Sequence, residues 1–260
     1  MRWIAVSTDM NGSERAPGHV KKERTSPIGR LSSRIREGLL QVTRLTIPDQ
    51  SSIFRFIVIK QTTHMPRPAN PEVRTRLLTA GGRVVYEMGF NASGVQDIVA
   101  AADVPKGSFY SYFGSKETFA AEVLEAYWES IEHRHGSVMY DARIKPLARI
   151  EKFFGLLAED HAASEFRLGC LIGNLSLELS NASAEVRSAL KRILGRWEGS
   201  IAACLEEAKM RGELPSDRNP KQVAAIIVES WEGAILRCKV ERSGSACHRF
   251  QRVTLKQLLS

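Results

Sequence analysis

The sequence predicts an all-α protein. From about residue 70 onward, apolar side chains recur at the i, i+3, i+4, i+7 spacing of amphipathic helices in every long segment. No segment of this part alternates between apolar and polar residues as a half-buried strand does, and no βαβ rhythm competes. Glycines and prolines fall between the periodic stretches, where helices end and begin. These observations together predict helices joined by short links.

The individual helices follow from the positions of the apolar stripes. The first stripe spans residues 73–88, with Pro71 at a tolerated first-turn position, and a shorter one spans residues 95–102. Ser115 is expected to cap a longer helix with Glu117 in its first turn, where a negative charge is favoured. Further stripes cover residues 119–131, 147–157, 186–208 and 223–238, and Pro215 and Pro220 separate the last two.

The composition excludes several classes of protein. With 43% hydrophobic and 25% charged residues, a chain of 260 residues can bury a hydrophobic core without disulfide or metal cross-links. Its four cysteines include no C-x-x-C pair and are too few for a secreted disulfide scaffold. No apolar run approaches the ~18 residues that a membrane-spanning helix needs, and the apolar run at the N-terminus is too short for a signal peptide. We therefore expect a cytoplasmic protein without a membrane segment.

Residues 1–64 differ from the rest of the chain. They are rich in Ser, Arg, Pro and Gly, and their one apolar patch, residues 53–59, could be an isolated strand. They hold 11 Lys+Arg against 5 Asp+Glu, whereas the remaining residues hold 26 against 24, so most of the formal charge of +8 lies here. Two interpretations stay open. The segment is a disordered basic arm, or it is translated upstream sequence that precedes a start at Met65.

Residues 89–117 carry the strongest functional motif. A short helix is followed by a tight turn at Asp103-Val104, and a third helix starts at Pro105 or Lys106 and ends near Phe113. Two short helices joined by a tight turn form a helix-turn-helix, whose second helix lies in the DNA major groove.

The residue types on this predicted recognition helix suit DNA. Lys106 supplies a cation, Gly107 permits close backbone approach, and hydroxyl side chains follow. Lys116 stands at the start of the next helix, where a phosphate is favoured. The alternative role for the aromatic residues is packing in a small three-helix core, which we expect for Phe109 and Phe113.

The block K-G-S-F-Y-S-Y-F-G-S-K-E at residues 106–117 resembles the most diagnostic part of the TetR/AcrR family of transcriptional regulators, and the resemblance extends over residues 70–130. Family members commonly have Gly at the turn where this chain has Asp103, but Asp tolerates the left-handed conformation better than most residues. The resemblance implies DNA contacts by Ser93, Gln96, Lys106, Gly107, Ser108, Tyr110, Tyr112 and Lys116.

The resemblance also implies a domain organisation and a partner. The expected boundaries are 65–130 for the helix-turn-helix domain, 131–241 for a helical ligand-binding and dimerisation domain, and 242–260 for a C-terminal tail. The last two long helices would pair with a second copy of the chain in a four-helix bundle. Such a homodimer implies a palindromic operator with half-sites ~34–36 Å apart. The alternative is that these helices pack within one chain.

A candidate ligand site follows from a second resemblance. Residues 169–179 resemble a helix found in a subgroup of the family that answers reactive electrophiles and small organic compounds. On one helix, Cys170, Asn174 and Glu178 would share a face and could line a pocket. The alternative is that Cys170 is a small buried residue and Glu178 faces solvent.

Enzymatic and metal chemistry find little support in the sequence. It contains neither G-x-S-x-G nor a phosphate-binding G-x-x-x-x-G-K-[ST] loop, and Cys238, Cys247 and His248 lack zinc-site spacing, so we expect no catalytic residues, metal or cofactor. The sequence predicts a DNA-binding regulator, a repressor that leaves its operator when a small ligand binds. The alternatives are an architectural DNA-binding protein without an effector, or a helical enzyme with no recognisable motif.

Overall fold

The computed structural model describes residues 70–260, and its regular elements there are all helices. The predicted all-α class is confirmed for this part of the chain. Residues 1–64, with the apolar patch at 53–59 and the choice between an arm and a start at Met65, lie outside the described residues. None of the helices in residues 70–260 is long and apolar enough to cross a membrane.

The first helix, α1, covers residues 71–88 and contains one π-helical turn. Pro71–Arg76 and Gly82–Met88 are α-helical, and Leu77–Gly81 between them has the wider π-helical hydrogen bonding. Glycine at position 81 lets α1 approach the next helix closely, because a Cβ there would lie 2.5 Å from the Cγ2 atom of Ile98. Gly89, at φ +89°, ends α1.

Three further helices complete the N-terminal part: α2 (Val95–Ala101), α3 (Lys106–Phe113) and α4 (Lys116–His135). The turn between α2 and α3 includes Asp103 at φ +52°, so Asp takes the left-handed conformation expected of it. Ser115 caps α4, as predicted, by accepting a hydrogen bond from the Thr118 N–H at 3.0 Å.

The C-terminal part contains the longest helices. A 3₁₀ turn (Gly136–Tyr140) leads to α5 (Pro146–Ala163), α6 (Leu171–Leu179), α7 (Ala184–Met210) and α8 (Pro220–Glu241). Aromatic side chains join them in the core: the Phe154 ring lies 5.1 Å from Trp231 and 6.3 Å from Trp197. Trp197 in turn lies 5.4 Å from Trp128 of α4, so the core is continuous with the N-terminal part.

The segment 242–260, set apart as a tail by the sequence analysis, is a packed helix. Helix α9 covers residues 245–259, and a π-helical stretch, Phe250–Leu255, interrupts it. Its buried residues are Ala246, Cys247, Phe250, Leu255 and Leu259. The π stretch shifts the apolar positions out of the regular 3.6-residue period, which explains why the periodicity did not predict this helix.

Candidate DNA-binding surface and its link to an internal cavity

Helix α3 is fixed to the core by its apolar side. Phe109 and Phe113 are buried, and both rings pack edge-on against Phe119 of α4, at 5.3 and 4.9 Å between centroids. The core role expected for these two residues is therefore what the structure shows. This packing sets the rotation of α3 and decides which side chains face outward.

The outward side of α3 carries the predicted DNA-contacting groups. Lys106, Gly107 and Tyr110 are exposed, with 54% of Tyr110 accessible, and Ser108 is half-buried beside them. Gln96 is exposed on α2. A Cβ at position 107 would meet no atom within 4 Å, so the backbone of the first turn is open to close approach.

Ser93 is not part of this surface, which corrects the sequence analysis. Its side chain is only 1% exposed, and its hydroxyl donates to the Phe90 carbonyl at 3.1 Å. The residue that caps α2 is Gly94, whose N–H donates to the Asp97 carboxylate at 2.7 Å. A buried hydroxyl that already donates to the backbone cannot serve a phosphate in this arrangement.

Tyr112 and Lys116 are half-buried, and both hydrogen-bond within the chain. The Tyr112 hydroxyl accepts a hydrogen bond from the Asn70 N–H at 2.9 Å, at the start of α1. The Lys116 ammonium donates to the Phe90 carbonyl and lies 4.0 Å from the centroid of the Phe90 ring. Burial lowers the pKa of Lys116. Neither side chain is freely presented as the recognition-helix model expects.

Glu178 connects α6 to the DNA-binding part. Its Oε1 accepts from the Phe90 N–H at 3.2 Å and its Oε2 from the Asn91 N–H at 2.8 Å. These two residues follow α1 and lead into α2. The expectation that Glu178 lines a ligand pocket is therefore wrong, and so is the alternative that it simply faces solvent.

Asn174 is also occupied by its own chain. Its Nδ2 donates to the Leu168 carbonyl at 2.9 Å, and its Oδ1 accepts from the Lys239 ammonium at 3.2 Å. Cys170 precedes α6 as its N-cap residue instead of lying within the helix. The three side chains thus do not form one pocket face, because the helix begins only at Leu171 and hydrogen bonds within the chain take up Asn174 and Glu178.

Cys170 alone of the three borders a cavity of about 290 Å³. Burial, together with the neighbouring Glu232 carboxylate, raises the pKa of the Cys170 thiol well above its ordinary value. The cavity walls combine aromatic and polar side chains and come from α1, α4, α5, α7 and α8. They include Tyr86, Tyr127, Leu157, His161, Trp197 and Trp231, together with Ser130, Arg134, Asp160 and Ser164.

Several polar groups face or adjoin this cavity. The Tyr86 hydroxyl donates to the Gly169 carbonyl at 2.5 Å, and the Trp197 Nε1–H has no hydrogen-bond partner within residues 70–260. Burial lowers the pKa of His161 to about 4, so its imidazole is neutral at pH 7. Burial also raises the pKa of Glu232 to about 7. The cavity is therefore lined by both aromatic and polar side chains, among them the neutral imidazole of His161.

A second depression differs in character. Exposed Glu165, Arg167 and Arg242 line it, and the first two form an ion pair at 2.7 Å. It has no aromatic wall to hold an organic ligand, so the aromatic cavity is the better candidate for a ligand site.

Of the cavity residues, the sequence analysis named Cys170 as a pocket residue and missed the others, although one further signal was present. His161 stands four residues after Leu157 and continues the apolar stripe of α5. A titratable residue at a core position marks either a satisfied polar group or a site. Tyr127 lies in the apolar stripe of α4 and was counted only as core.

The fold and these surfaces define a class of protein: a helix-turn-helix DNA-binding protein whose further helices, together with α1 and α4, line a ligand-sized cavity. The sequence matches the family model described as bacterial regulatory proteins, tetR family, over residues 77–123. It also matches the tetracyclin repressor-like C-terminal domain over residues 146–254. The chain belongs to the TetR family of transcriptional regulators.

Known relatives agree over most of the described chain. The HTH-type transcriptional repressor DhaR of Mycobacterium sp. is 39% identical over 191 residues, covering 74% of this chain and 94% of the relative. The transcriptional regulator AcuR of Cereibacter sphaeroides is 38% identical, covering 68% and 80%. The crystal structure of a regulatory protein TetR from Rhodobacter sphaeroides has a TM-score of 0.67 at 36% identity, covering 72% of this chain and 99% of that one.

Family membership decides between the alternatives left open by the sequence. The chain is a regulator and not a helical enzyme. An architectural protein would not need a C-terminal domain of the repressor type. The C-terminal match ends inside α9, which agrees with α9 being a packed part of that domain.

Proposed function

We propose that this protein is a cytoplasmic, homodimeric repressor that binds a palindromic operator and leaves it when a small organic molecule enters the aromatic cavity. The observation that carries the DNA-binding part is the exposed first turn of α3. There Lys106 and Gly107 stand free of the core that Phe109 and Phe113 hold in place. A helix fixed on one side and polar on the other can enter the major groove as a rigid unit.

The exposed residues divide by chemistry. Lys106 would donate to a phosphate or to guanine, and Gln96 and Tyr110 carry polar groups that reach base edges or the backbone. Gly107 would let a DNA strand approach within van der Waals distance of the helix backbone. Ser108, half-buried, would add a hydroxyl at the edge of this surface.

Tyr112 and Lys116 remain candidates for phosphate contact in a second role. Their hydrogen bonds to Asn70 and Phe90 fix their positions, and an ammonium that donates one bond to a carbonyl keeps two further N–H donors. We propose that they act as anchored phosphate ligands at the border of the α3 surface, while Ser93 acts only in the core.

The homodimer is supported by an apolar stripe on α8 that the described residues 70–260 leave uncovered. Ile226, Leu236 and Val240 are exposed, by 44%, 52% and 74%, and a Cβ at Gly233 would meet no atom within 4 Å. The glycine between exposed apolar residues permits a second helix to approach closely. We propose that α8 and α7 of two copies form the dimer core, which places two α3 helices on one DNA duplex.

The effector site is the aromatic cavity. Its volume of about 290 Å³ suits a small ligand, and its polar lining residues, among them Ser130 and His161, would hydrogen-bond to that ligand. Cys170 borders the site, but its thiol is protonated at pH 7, because burial and Glu232 disfavour the thiolate. We therefore expect non-covalent binding at rest, with electrophile capture at Cys170 slow.

The coupling between effector and operator would pass through α6. Cys170 at its N-terminal end borders the cavity, and Glu178 near its C-terminal end holds the entrance of the helix-turn-helix. An effector that favours a displaced α6 would favour a different position of α2 and α3. The change is a population shift toward a dimer whose two α3 helices no longer match successive grooves.

A binding-site selection on genomic DNA, repeated with candidate small molecules, tests the proposed function. We expect enrichment of one palindrome, and loss of binding with an effector that also raises the Tm. Lys106→Ala should weaken operator binding and reduce the slope of log K against log salt by ~1. Lys221→Ala, exposed on α8, is the matched control. Binding to all sequences alike would instead support an architectural protein.

The role of Cys170 is tested separately. If Cys170→Ser leaves the response to every effective ligand unchanged, the thiol is part of the wall only. If the response to electrophiles alone is lost, covalent capture at Cys170 contributes to induction. Either result leaves the assignment of the cavity intact, because it is made from the volume of the cavity and its aromatic lining residues.

A further inference from the structure

Two cysteines on different helices meet at the C-terminal end of α8. Cys238 lies in the last turns of α8 and Cys247 in the first turn of α9, and their sulfur atoms are 2.8 Å apart. Both residues are only 1% exposed. We propose that Cys238 and Cys247 are a redox-active dithiol, which hydroperoxides oxidise to an intrachain disulfide that clamps α9 to α8.

The local backbone already holds the pair in position. A disulfide needs a sulfur–sulfur distance of ~2.05 Å, so the two atoms must approach by less than about 1 Å. The chain between them turns sharply, with Arg242 at φ +50° and the Ser243 N–H donating to the Cys238 carbonyl at 3.3 Å. No large movement of either helix is required.

The other two cysteines are not paired in this way. Cys204 lies in α7, and its thiol donates to the Met139 carbonyl at 3.3 Å. Cys170 adjoins the Glu232 carboxyl at the aromatic cavity. The pair at the end of α8 is therefore the place in residues 70–260 where oxidation can join two thiols without rearranging the core.

The order of the reaction is assigned from one hydrogen bond. The Cys247 N–H donates to the Cys238 sulfur at 3.3 Å, so a donor already faces the sulfur that we assign as the attacking atom. The Cys238 thiolate would attack the terminal peroxide oxygen, breaking the O–O bond and giving a sulfenic acid and an alcohol, or water from hydrogen peroxide. The Cys247 thiol then displaces the sulfenic oxygen as water while the S–S bond forms. Two thiols lose two electrons and two protons, and one peroxide is reduced.

Burial makes this site slow to react and its product long-lived. Burial, with the hydrogen bond to Cys238, raises the pKa of the Cys247 thiol, so oxidation must await local opening of α9 from α8. Once the disulfide forms, native packing holds both sulfurs together and opposes reduction. The disulfide would therefore form under sustained exposure to peroxide and not during a brief exposure.

The disulfide between α8 and α9 would also affect the wall of the aromatic cavity. Phe250 of α9 follows Cys247 by three residues, and its ring lies 5.3 Å from Trp231 in the cavity wall. Fixing α9 would restrain that wall and slow the exchange of a bound molecule. This consequence rests on the proposed function, whereas formation of the disulfide does not.

The experiment uses the full reduced chain, treated with tert-butyl hydroperoxide and then mapped by non-reducing mass spectrometry. We expect a peptide linked through Cys238 and Cys247, a fall from four free thiols to two under denaturing conditions, and a Tm rise of roughly 5 °C. Cys247→Ser should abolish all three changes, and Cys204→Ser should abolish none of them.

Two results would overturn the inference: four free thiols after prolonged oxidation, or sulfinic acid at Cys238 without a linked peptide. Mapping of the unsubstituted chain decides the matter even if a serine variant folds poorly. The mapping needs neither DNA nor effector, so failure of the disulfide and failure of the proposed repressor function are distinguishable.

Discussion

Glu178 and Lys116 hold the Phe90–Asn91 peptide group from opposite sides. The Glu178 Oε2 atom accepts from the Asn91 N–H of this group at 2.8 Å, and the Lys116 ammonium donates to its Phe90 carbonyl. Glu178 Oε1 also accepts from the preceding N–H, that of Phe90, at 3.2 Å. Gly89 precedes this peptide at φ +89°, and a Cβ there would lie 3.0 Å from Glu178 Oε1. The joint between α6 and the helix-turn-helix is thus a polar contact to backbone, which cannot be displaced without moving the entrance to α2.

Removing the carboxylate should separate operator binding from effector response. Glu178→Ala deletes two charge-assisted hydrogen bonds and is expected to cost ~1.5–3 kcal/mol of unfolding free energy. In fluorescence anisotropy, the ratio of operator Kd values with and without effector should fall toward one. The physical reason is that α6 no longer moves the Phe90–Asn91 backbone.

The control for this substitution is Glu206→Ala, an exposed glutamate on α7. It should leave both stability and the ratio of Kd values unchanged. A Glu178→Ala protein that still releases DNA fully with effector would show that the coupling takes another route.

Gly107→Ala should improve the fold and impair DNA binding. Alanine in a helix is favoured over glycine by roughly 0.5–1 kcal/mol, and a Cβ at position 107 meets no atom of the chain within 4 Å. Chemical denaturation should show the gain, and a gel-shift titration should show weaker operator binding. Equal affinity for both proteins would mean that DNA does not approach this turn.

The turn between α2 and α3 can be tested at Asp103. Its φ of +52° is unstrained for glycine and costs ~1–2 kcal/mol for a β-branched residue. We expect Asp103→Gly to match or exceed the wild type in urea denaturation and Asp103→Val to lose about that amount. If both variants unfold at the same urea concentration, the left-handed turn does not contribute to stability.

Stability should depend on pH through two buried groups of opposite sign. Burial lowers the pKa of His161 from 6.5 to about 4. Between these two pH values the unfolded chain therefore binds a proton at His161 and the folded protein does not. The unfolding free energy from this group falls as pH drops from 6.5 to about 4. Burial raises the pKa of Glu232 from 4.5 to about 7, so its contribution is lost as pH rises through that range. Each slope is at most ~1.4 kcal/mol per pH unit.

These slopes oppose each other in the wild type and are separated by substitution. His161→Gln should make the protein gain stability, relative to wild type, as pH falls from 6.5 to 4.5. Glu232→Gln should make it lose stability over the same range. Urea denaturation at several pH values measures both differences, and other titrating groups cancel in the comparison. Parallel curves for all three proteins would contradict the buried-pKa assignment.

The sequence predicted the helices whose period is regular and whose ends carry caps. Helix α3 begins and ends where Pro105 and Phe113 indicated, because proline and the glycine after residue 113 fix both ends locally. Helix α9 was missed because its π-helical stretch, Phe250–Leu255, changes the phase of the apolar residues. Local rules fail where the hydrogen-bond register changes inside a helix.

The exposed residues of the proposed DNA-binding surface were also predictable, whereas the partners of polar side chains were not. Lys106 and Tyr110 belong to a contiguous motif, so a single segment identifies them. Glu178 bonds to a backbone group 88 residues away along the chain, and Asn174 to an ammonium 65 residues away. Such contacts depend on how helices pack, and the spacing of residues on one helix does not contain that information.

The π turn at Leu77–Gly81 determines the rotation of the start of α1 relative to the rest of the domain. A π turn is equivalent to one residue inserted into an α-helix. Deleting one residue there would restore the regular helix and rotate everything before it by about 100°. Asn70 would then leave the Tyr112 hydroxyl, and Arg74 would leave the Glu122 carboxylate. The one additional residue in the π turn therefore fixes the rotation of the start of α1 about its axis, and with it the contacts of this segment with α3 and α4.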